Sequence, residues 1–197
     1  MKMLRAAARF RSRTAPAVLA ALSIALAPGG ATAADESLEY AVKAAVLYKF
    51  GFFVEWPATA FSSSTSPFRL CIVGEDPFGS ILDKAVSGQQ VGARSIEVRR
   101  LKAVGRDSGC QILYIGVSEA PRFGQIIEAL RGSSVLTVSD GRAPGTAAGI
   151  IQFVIKDDRV RFDIDDVAAE QNGLAISSKL MSLALNVKRR PPKEPAK

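Results

Sequence analysis

Histidine, the side chain that most often does acid–base and metal chemistry, is absent from all 197 positions. Its absence removes Ser-His-Asp and Cys-His catalysis, imidazole proton transfer and the usual His-bearing metal sites. It also removes the simplest pH switch. Two cysteines, Cys71 and Cys110, are too few for a four-thiolate centre. What remains is acids, arginines and glycine-rich turns. Gly74-Glu75-Asp76-Pro77-Phe78-Gly79 stands where an apolar run gives way to a helical pattern. In open α/β sheets, such a turn at a strand's carboxyl end is where ligands bind. It lacks the glycine spacing of a dinucleotide turn and the lysine of a phosphate loop, and its two acids repel phosphate. Gly74, Glu75, Asp76 and Phe78 are therefore a weak candidate crevice, beside the plainer reading of a turn closed by a good helix cap. A second glycine-rich stretch, residues 140–149, carries Arg142 and reads either as an anion-ordering loop or as ordinary surface loop. Asp157, Asp158, Asp163 and Asp165 are acidic enough to suggest a hard cation, but calcium needs six or more oxygens in one cage. Asp163 and Asp165 share one strand face roughly 7 Å apart, with arginines before them, and read as exposed ion pairs. No inward pair of acids stands at hydrolase spacing. The expectation is no catalysis, no cofactor and no metal.

Charge narrows the partners. The formal net charge of +7 is concentrated at the two ends. Residues 1–33 hold five basic groups and no acid, and the last ten residues hold five more against Glu194. Residues 34–187 keep sixteen basic and eighteen acidic groups, so the body lacks the concentrated basic face that nucleic acid requires. The basic start leads into an apolar run over 15–27, then Pro28-Gly29-Gly30 and Ala31-Thr32-Ala33. Those are the parts of a secretory signal with an A-x-A cleavage site. The run of 13 residues is short of the about 20 that a spanning helix needs. The sequence thus predicts a signal peptide over 1–33, a periplasmic α/β domain over 34–187 and a basic, proline-rich, unpacked tail over 188–197. In an oxidising compartment, Cys71 and Cys110 read as one disulfide rather than two buried thiols.

The elements that must position these residues alternate. Asp35 is expected to cap a helix over 37–56, with Leu38, Val42, Val46, Phe50 and Phe53 as its apolar stripe, Lys43 off that stripe and Pro57 as its stop. Tyr40, Tyr48 and Trp56, eight apart along it, read as a docking stripe or as core packing. A strand over 68–73, a helix from Asp76-Pro77 to about 86, a turn over 88–92 and a strand over 95–101 follow. A strand over 110–117 with no alternation implies burial on both faces. Next come a helix over 121–130 and a strand over 134–139. Asp157-Asp158 reads as the two-residue turn of a hairpin, 150–155 with 159–164. A short helix ends at Asn172-Gly173, and a last helix opens at Ser177 or Ser178 and carries Leu180, Met181, Ala184 and Val187. The fold class is α/β: a single domain, mixed and mostly parallel sheet flanked by helices, with a C-terminal hairpin and helix.

Six short motifs in order resemble the YfiR-like family of small periplasmic proteins: Tyr48-Lys49-Phe50-x-x-Phe53-x-Glu55-Trp56-Pro57, Leu70–Gly74 with Asp76-Pro77-Phe78, Cys110–Ile115, Val135–Asp140, Val160–Ile164 and Gly173–Leu180. The resemblance covers nearly all of 38–187. It implies regulation rather than catalysis: a repressor that binds the periplasmic segment of an inner-membrane diguanylate cyclase or related sensor. An outer-membrane lipoprotein that relieves the inhibition, a homodimer, and a disulfide at Cys71 and Cys110 belong to the same implication. The chain departs from the family pattern at Pro144–Gly149, at Asp163 and at Asp165, all near the hairpin. Candidate partner-binding residues are Phe53 and Trp56 at the end of the first helix and Arg161, Asp163 and Asp165 on the hairpin. Trp56 reads equally as a core plug. The alternative function is a small-ligand sensor module using the crevice at Gly74–Phe78.

Overall fold

The computed structural model describes residues 30–140 and 149–189, with side chains from Asp35 onward. Most of the expected signal peptide, Arg142 with the rest of 141–148, and the tail from 190 lie outside the described residues.

The chain opens with α1 (Gly30–Leu47), a 3-10 turn (Tyr48–Phe52) and the two-residue strand β1 (Val54–Glu55). A second 3-10 turn (Ala58–Ala60) leads to β2 (Phe68–Val73), α2 (Ser80–Val86), β3 (Gln90–Val91) and β4 (Arg94–Leu101). After a short turn come β5 (Ile112–Ile115), a 3-10 stretch (Val117–Arg122), α3 (Phe123–Ala129) and β6 (Leu136–Asp140). The hairpin is β7 (Ile151–Lys156) and β8 (Arg159–Asp165). Then follow α4 (Asp166–Gln171), β9 (Ala175–Ile176), α5 (Ser178–Met181) and β10 (Val187–Lys188).

Among the described residues, eight strands form one sheet in the order β10-β8-β7-β6-β5-β2-β4-β3. Strands β4, β2, β5, β6 and β7 run parallel, β7 and β8 form the antiparallel hairpin, and β3 pairs antiparallel with the edge of β4. The chain goes outward from β2 to β4, then returns across β2 to β5. A doubly wound sheet therefore has its switch point between β2 and β5, where the crossovers leave a crevice at the carboxyl ends.

The expected fold class stands: a single mixed α/β domain with a mostly parallel sheet, flanking helices and a C-terminal strand and helix region. β5 is buried along its whole length, as its unbroken apolar run implies. Asp157 and Asp158 have φ of 51° and 54°, the paired left-handed conformation of a type I′ turn. Ser177 caps α5, its hydroxyl accepting from Leu180 N.

Several boundaries differ. The first helix does not run to Trp56. It ends at Leu47, because Gly51 packs closely against Phe68 and Val91, and Val54–Glu55 leave to pair with β9. Asp35 lies inside α1 rather than capping it. The expected stripe is rotated: Leu38 and Val42 are exposed, whereas Tyr40, Ala44, Leu47 and even Lys43 are buried. Asp76 does not cap α2; its carboxylate accepts from Phe78 N, and the helix starts only at Ser80, behind Gly79. The turn over 88–92 contains β3. Pro121 lies in the 3-10 stretch that precedes α3. The last helix is a single turn, because the chain leaves it to lay β10 beside β8, and Lys188 of the expected tail is part of that strand.

Candidate functional site

β2 ends at Val73, and Gly74 turns the chain with φ of 85°. A side chain on Gly74 is strained by that conformation, and its Cβ would also stand 2.6 Å from Ser118 Oγ. Gly116, after β5, comes so close that a Cβ would meet the Glu75 carbonyl oxygen at 2.5 Å. Glu75 N donates to Ser118 Oγ at 2.8 Å, tying the two turns together. Two glycines thus let the loops after β2 and β5 lie edge to edge at the switch point.

Above them opens a cleft of about 400 Å³ lined by Glu36, Ser37 and Tyr40 of α1, Glu75, Pro77 and Ile81 from the β2–α2 connection, and Tyr114 and Val117. That volume lies within the range of small-molecule sites. Phe78 is buried beneath it, its ring edge-on to Tyr114 at 4.7 Å and to Tyr40 at 5.8 Å. The candidate crevice residues are therefore divided. Glu75 lines the cleft, Gly74 shapes it and Phe78 supports it. Asp76 is turned away to Arg100, which donates to it at 2.7 Å, to Asp83 at 3.1 and 2.9 Å, and to the Gly79 carbonyl at 2.9 Å. These bonds, Asp83 first and Asp76 second, hold the Arg100 guanidinium above its ordinary pKa.

Behind the cleft is a buried polar cluster that the sequence reading did not anticipate. Tyr114 and Tyr40 both donate to one Asp140 oxygen, at 2.8 and 3.3 Å. Lys43 Nζ stands 2.8 Å from the other oxygen and also bonds Glu39. The Lys43 and Asp140 side chains are 4% and 2% exposed. The ammonium lies 4.7 Å from the centre of the Tyr40 ring. Each member sits where packing demands an apolar residue, so the cluster holds only because its charges are paired and hydrogen-bonded. The legible signals were a lysine between apolar positions of the first helix and an aspartate directly after a buried strand. Only the tertiary fold brings them together.

The hairpin residues are employed locally. Asp163 accepts from the backbone and side-chain nitrogens of Asn186, at 3.1 and 2.9 Å. Asp165 caps α4 by accepting from Ala168 N and pairs with Lys188 at 2.7 Å. These acids bind the C-terminal segment to β8 rather than pairing with the strand's own arginines. Arg161 is half-buried opposite Val154. Phe53 is half-buried, its ring 5.8 Å from Lys179 Nζ, and its carbonyl accepts from Ser177 N. Trp56 is half-buried with its ring edge-on to Phe68 at 5.1 Å, and its buried Nε1 has no acceptor among the described residues. The end of the first helical segment and the start of the last helix therefore meet through β1 and β9, while Trp56 rests on the core. Cys71 and Cys110 are joined, Cα to Cα 5.8 Å, and neither is a nucleophile.

Among the described residues no three acids or cysteines are grouped to hold a metal ion, and no helix is long and apolar enough to cross a membrane. The family model described as YfiR/HmsC-like matches residues 40–185. That match spans every strand from β1 to β9, the cleft lining from Tyr40 onward and both cysteines, and on it the chain belongs to the YfiR/HmsC-like family.

Proposed function

We propose that this protein is a periplasmic regulatory binding protein. It represses an inner-membrane diguanylate cyclase, or a related membrane sensor, by binding that protein's periplasmic segment. The observation that carries the reading is the family match over residues 40–185. The chemistry of the chain agrees with it: no histidine is present, and both cysteines are consumed in the disulfide. The expected signal peptide over 1–33 supplies the route to the periplasm. A homodimer and an outer-membrane lipoprotein that relieves repression belong to the same proposal.

For the partner surface, Phe53 and Arg161 are better probes than Asp163 and Asp165. Reversing either acid removes a bond that fixes the C-terminal segment, so lost repression would report misfolding as readily as lost contact. The test expresses the full chain beside its membrane partner in a bacterial host and reads cellular cyclic-di-GMP. Protein captured from detergent-solubilised membranes identifies the target. Repression by the parent chain, and its loss in folded Phe53→Ala or Arg161→Glu protein, supports the proposal. Cyclic-di-GMP that does not respond to the parent chain, with no membrane sensor captured, overturns it. Normal repression by both variants removes this surface as the interface.

A further inference from the structure

We propose that the cleft between the ends of β2 and β5 binds a small organic cation: an ammonium carried on an apolar or aromatic body. The charges around the cleft point in one direction. Among the described residues, no lysine or arginine lines it. Lys43 and Arg100 are committed elsewhere, Lys43 to Asp140 and Glu39, Arg100 to Asp76 and Asp83. Glu36 and Glu75, by contrast, reach the cleft from two separate elements, α1 and the turn after β2, and neither side chain forms an ion pair with a described residue. A phosphate or carboxylate meets repulsion here. A hard metal ion finds two carboxylates where it needs six oxygens.

The rest of the lining is apolar or aromatic. Pro77, Ile81 and Val117 form walls, with Tyr40 and Tyr114 behind them. Val117 is 39% exposed, an apolar side chain left in water at the mouth. An ammonium placed between the glutamates sets its hydrocarbon body against these residues. The floor is preorganised, because Asp140 holds both tyrosine hydroxyls and α2 is tied down through Arg100. Each exposed glutamate contributes little alone, so selectivity requires both together with the apolar walls.

The site goes beyond the regulatory reading and does not depend on it, since it is tested on purified protein with no membrane present. Protein from expression of the full chain is titrated calorimetrically with phenethylamine, and with phenylacetate as a probe of similar body and opposite charge. Phenethylamine is expected to bind with a Kd of roughly 0.1–1 mM, in line with the efficiency of very small ligands. Phenylacetate should bind at least about tenfold more weakly. Glu36→Gln with Glu75→Gln should reduce phenethylamine affinity about tenfold while leaving the circular dichroism and melting temperature unchanged, because both side chains are exposed. Equal affinity for the two probes overturns the proposal. So does undiminished amine binding by the folded double variant, or no heat of binding for phenethylamine up to about 10 mM, ten times the weakest expected Kd.

Discussion

The two faces of the sheet are held by different means. On the α1 and α2 side, 25 buried residues form one cluster among the described residues, eight of them aromatic. On the α3 side the cluster has seven buried residues, two of which are Cys71 and Cys110. The larger face is closed by packing and has room to bury an ion pair. The smaller face has the fewer buried apolar residues, and a covalent link between β2 and the segment just before β5 reinforces it. The first contains a charge that must stay paired; the second contains a crosslink that acts largely on the unfolded chain.

Removing one partner of the buried pair tests the larger face most severely. Lys43→Met should lower stability by about 3–5 kcal/mol, because Asp140 is left charged in an apolar interior. Adding Asp140→Asn to that variant should recover part of the loss while keeping an acceptor for the tyrosines. Chemical denaturation of both single variants and the double measures the coupling. A loss below about 1 kcal/mol for Lys43→Met would show that the pair behaves as a surface bridge.

Next comes the smaller face. Replacing Cys71 and Cys110 together by Ala should cost about 2–4 kcal/mol, near the chain-entropy value of about 4 for a closure spanning 39 positions. The contrast between the faces fails if the reduced and oxidised proteins unfold at the same denaturant concentration.

Arg100→Ala should cost about 1 kcal/mol, a modest value because the guanidinium is 42% exposed. Like any arginine it stays charged through neutral and mildly alkaline pH, so the loss should be constant over that range. A loss that disappears with added salt would assign it to surface charge alone. The larger effect should be local, as faster hydrogen exchange in the turn after β2.

Asp166 gives the smallest effect and the opposite sign. Burial first, and the charge of Glu170 second, raise its carboxyl pKa. A carboxyl raised by folding is protonated more readily in the folded chain than in the unfolded one. Its penalty is therefore complete at neutral pH and fades as pH falls through the aspartate range. Asp166→Asn should stabilise the protein by less than about 0.5 kcal/mol at neutral pH, with no gain in acid. Melting curves at the two pH values check the sign.

Much of the fold was legible because local chemistry and tertiary packing agree. Strand β5 has no polar position to contradict burial, and Asp157-Asp158 suits the left-handed turn that joins β7 to β8. Legibility failed where a distant residue overrode periodicity. Lys43 looked like a solvated charge because its partner is Asp140, on the far side of the chain's midpoint. Leu38 and Val42 looked like core for the same reason: turning Lys43 inward turns them out. The helix beyond Leu47 failed on Gly51, whose close approach to Phe68 no pattern within the segment reveals. For the candidate site, the turn after β2 was visible as a turn. Its partners across the cleft were not, because Glu36 and Val117 meet it only through the order of the strands.

The bond from Tyr40 to Asp140 spans 100 residues. A chain made or threaded from its N-terminus presents the first helix long before the strand that neutralises Lys43 exists. Until then, burying that helix against the partial sheet would bury an ammonium lacking its acceptor across the sheet. That burial carries a desolvation cost which the Asp140 carboxylate offsets. The buried charge thus couples the two ends of that contact: the first helix buries Lys43 with both its acid partners only when β6 stands in the sheet.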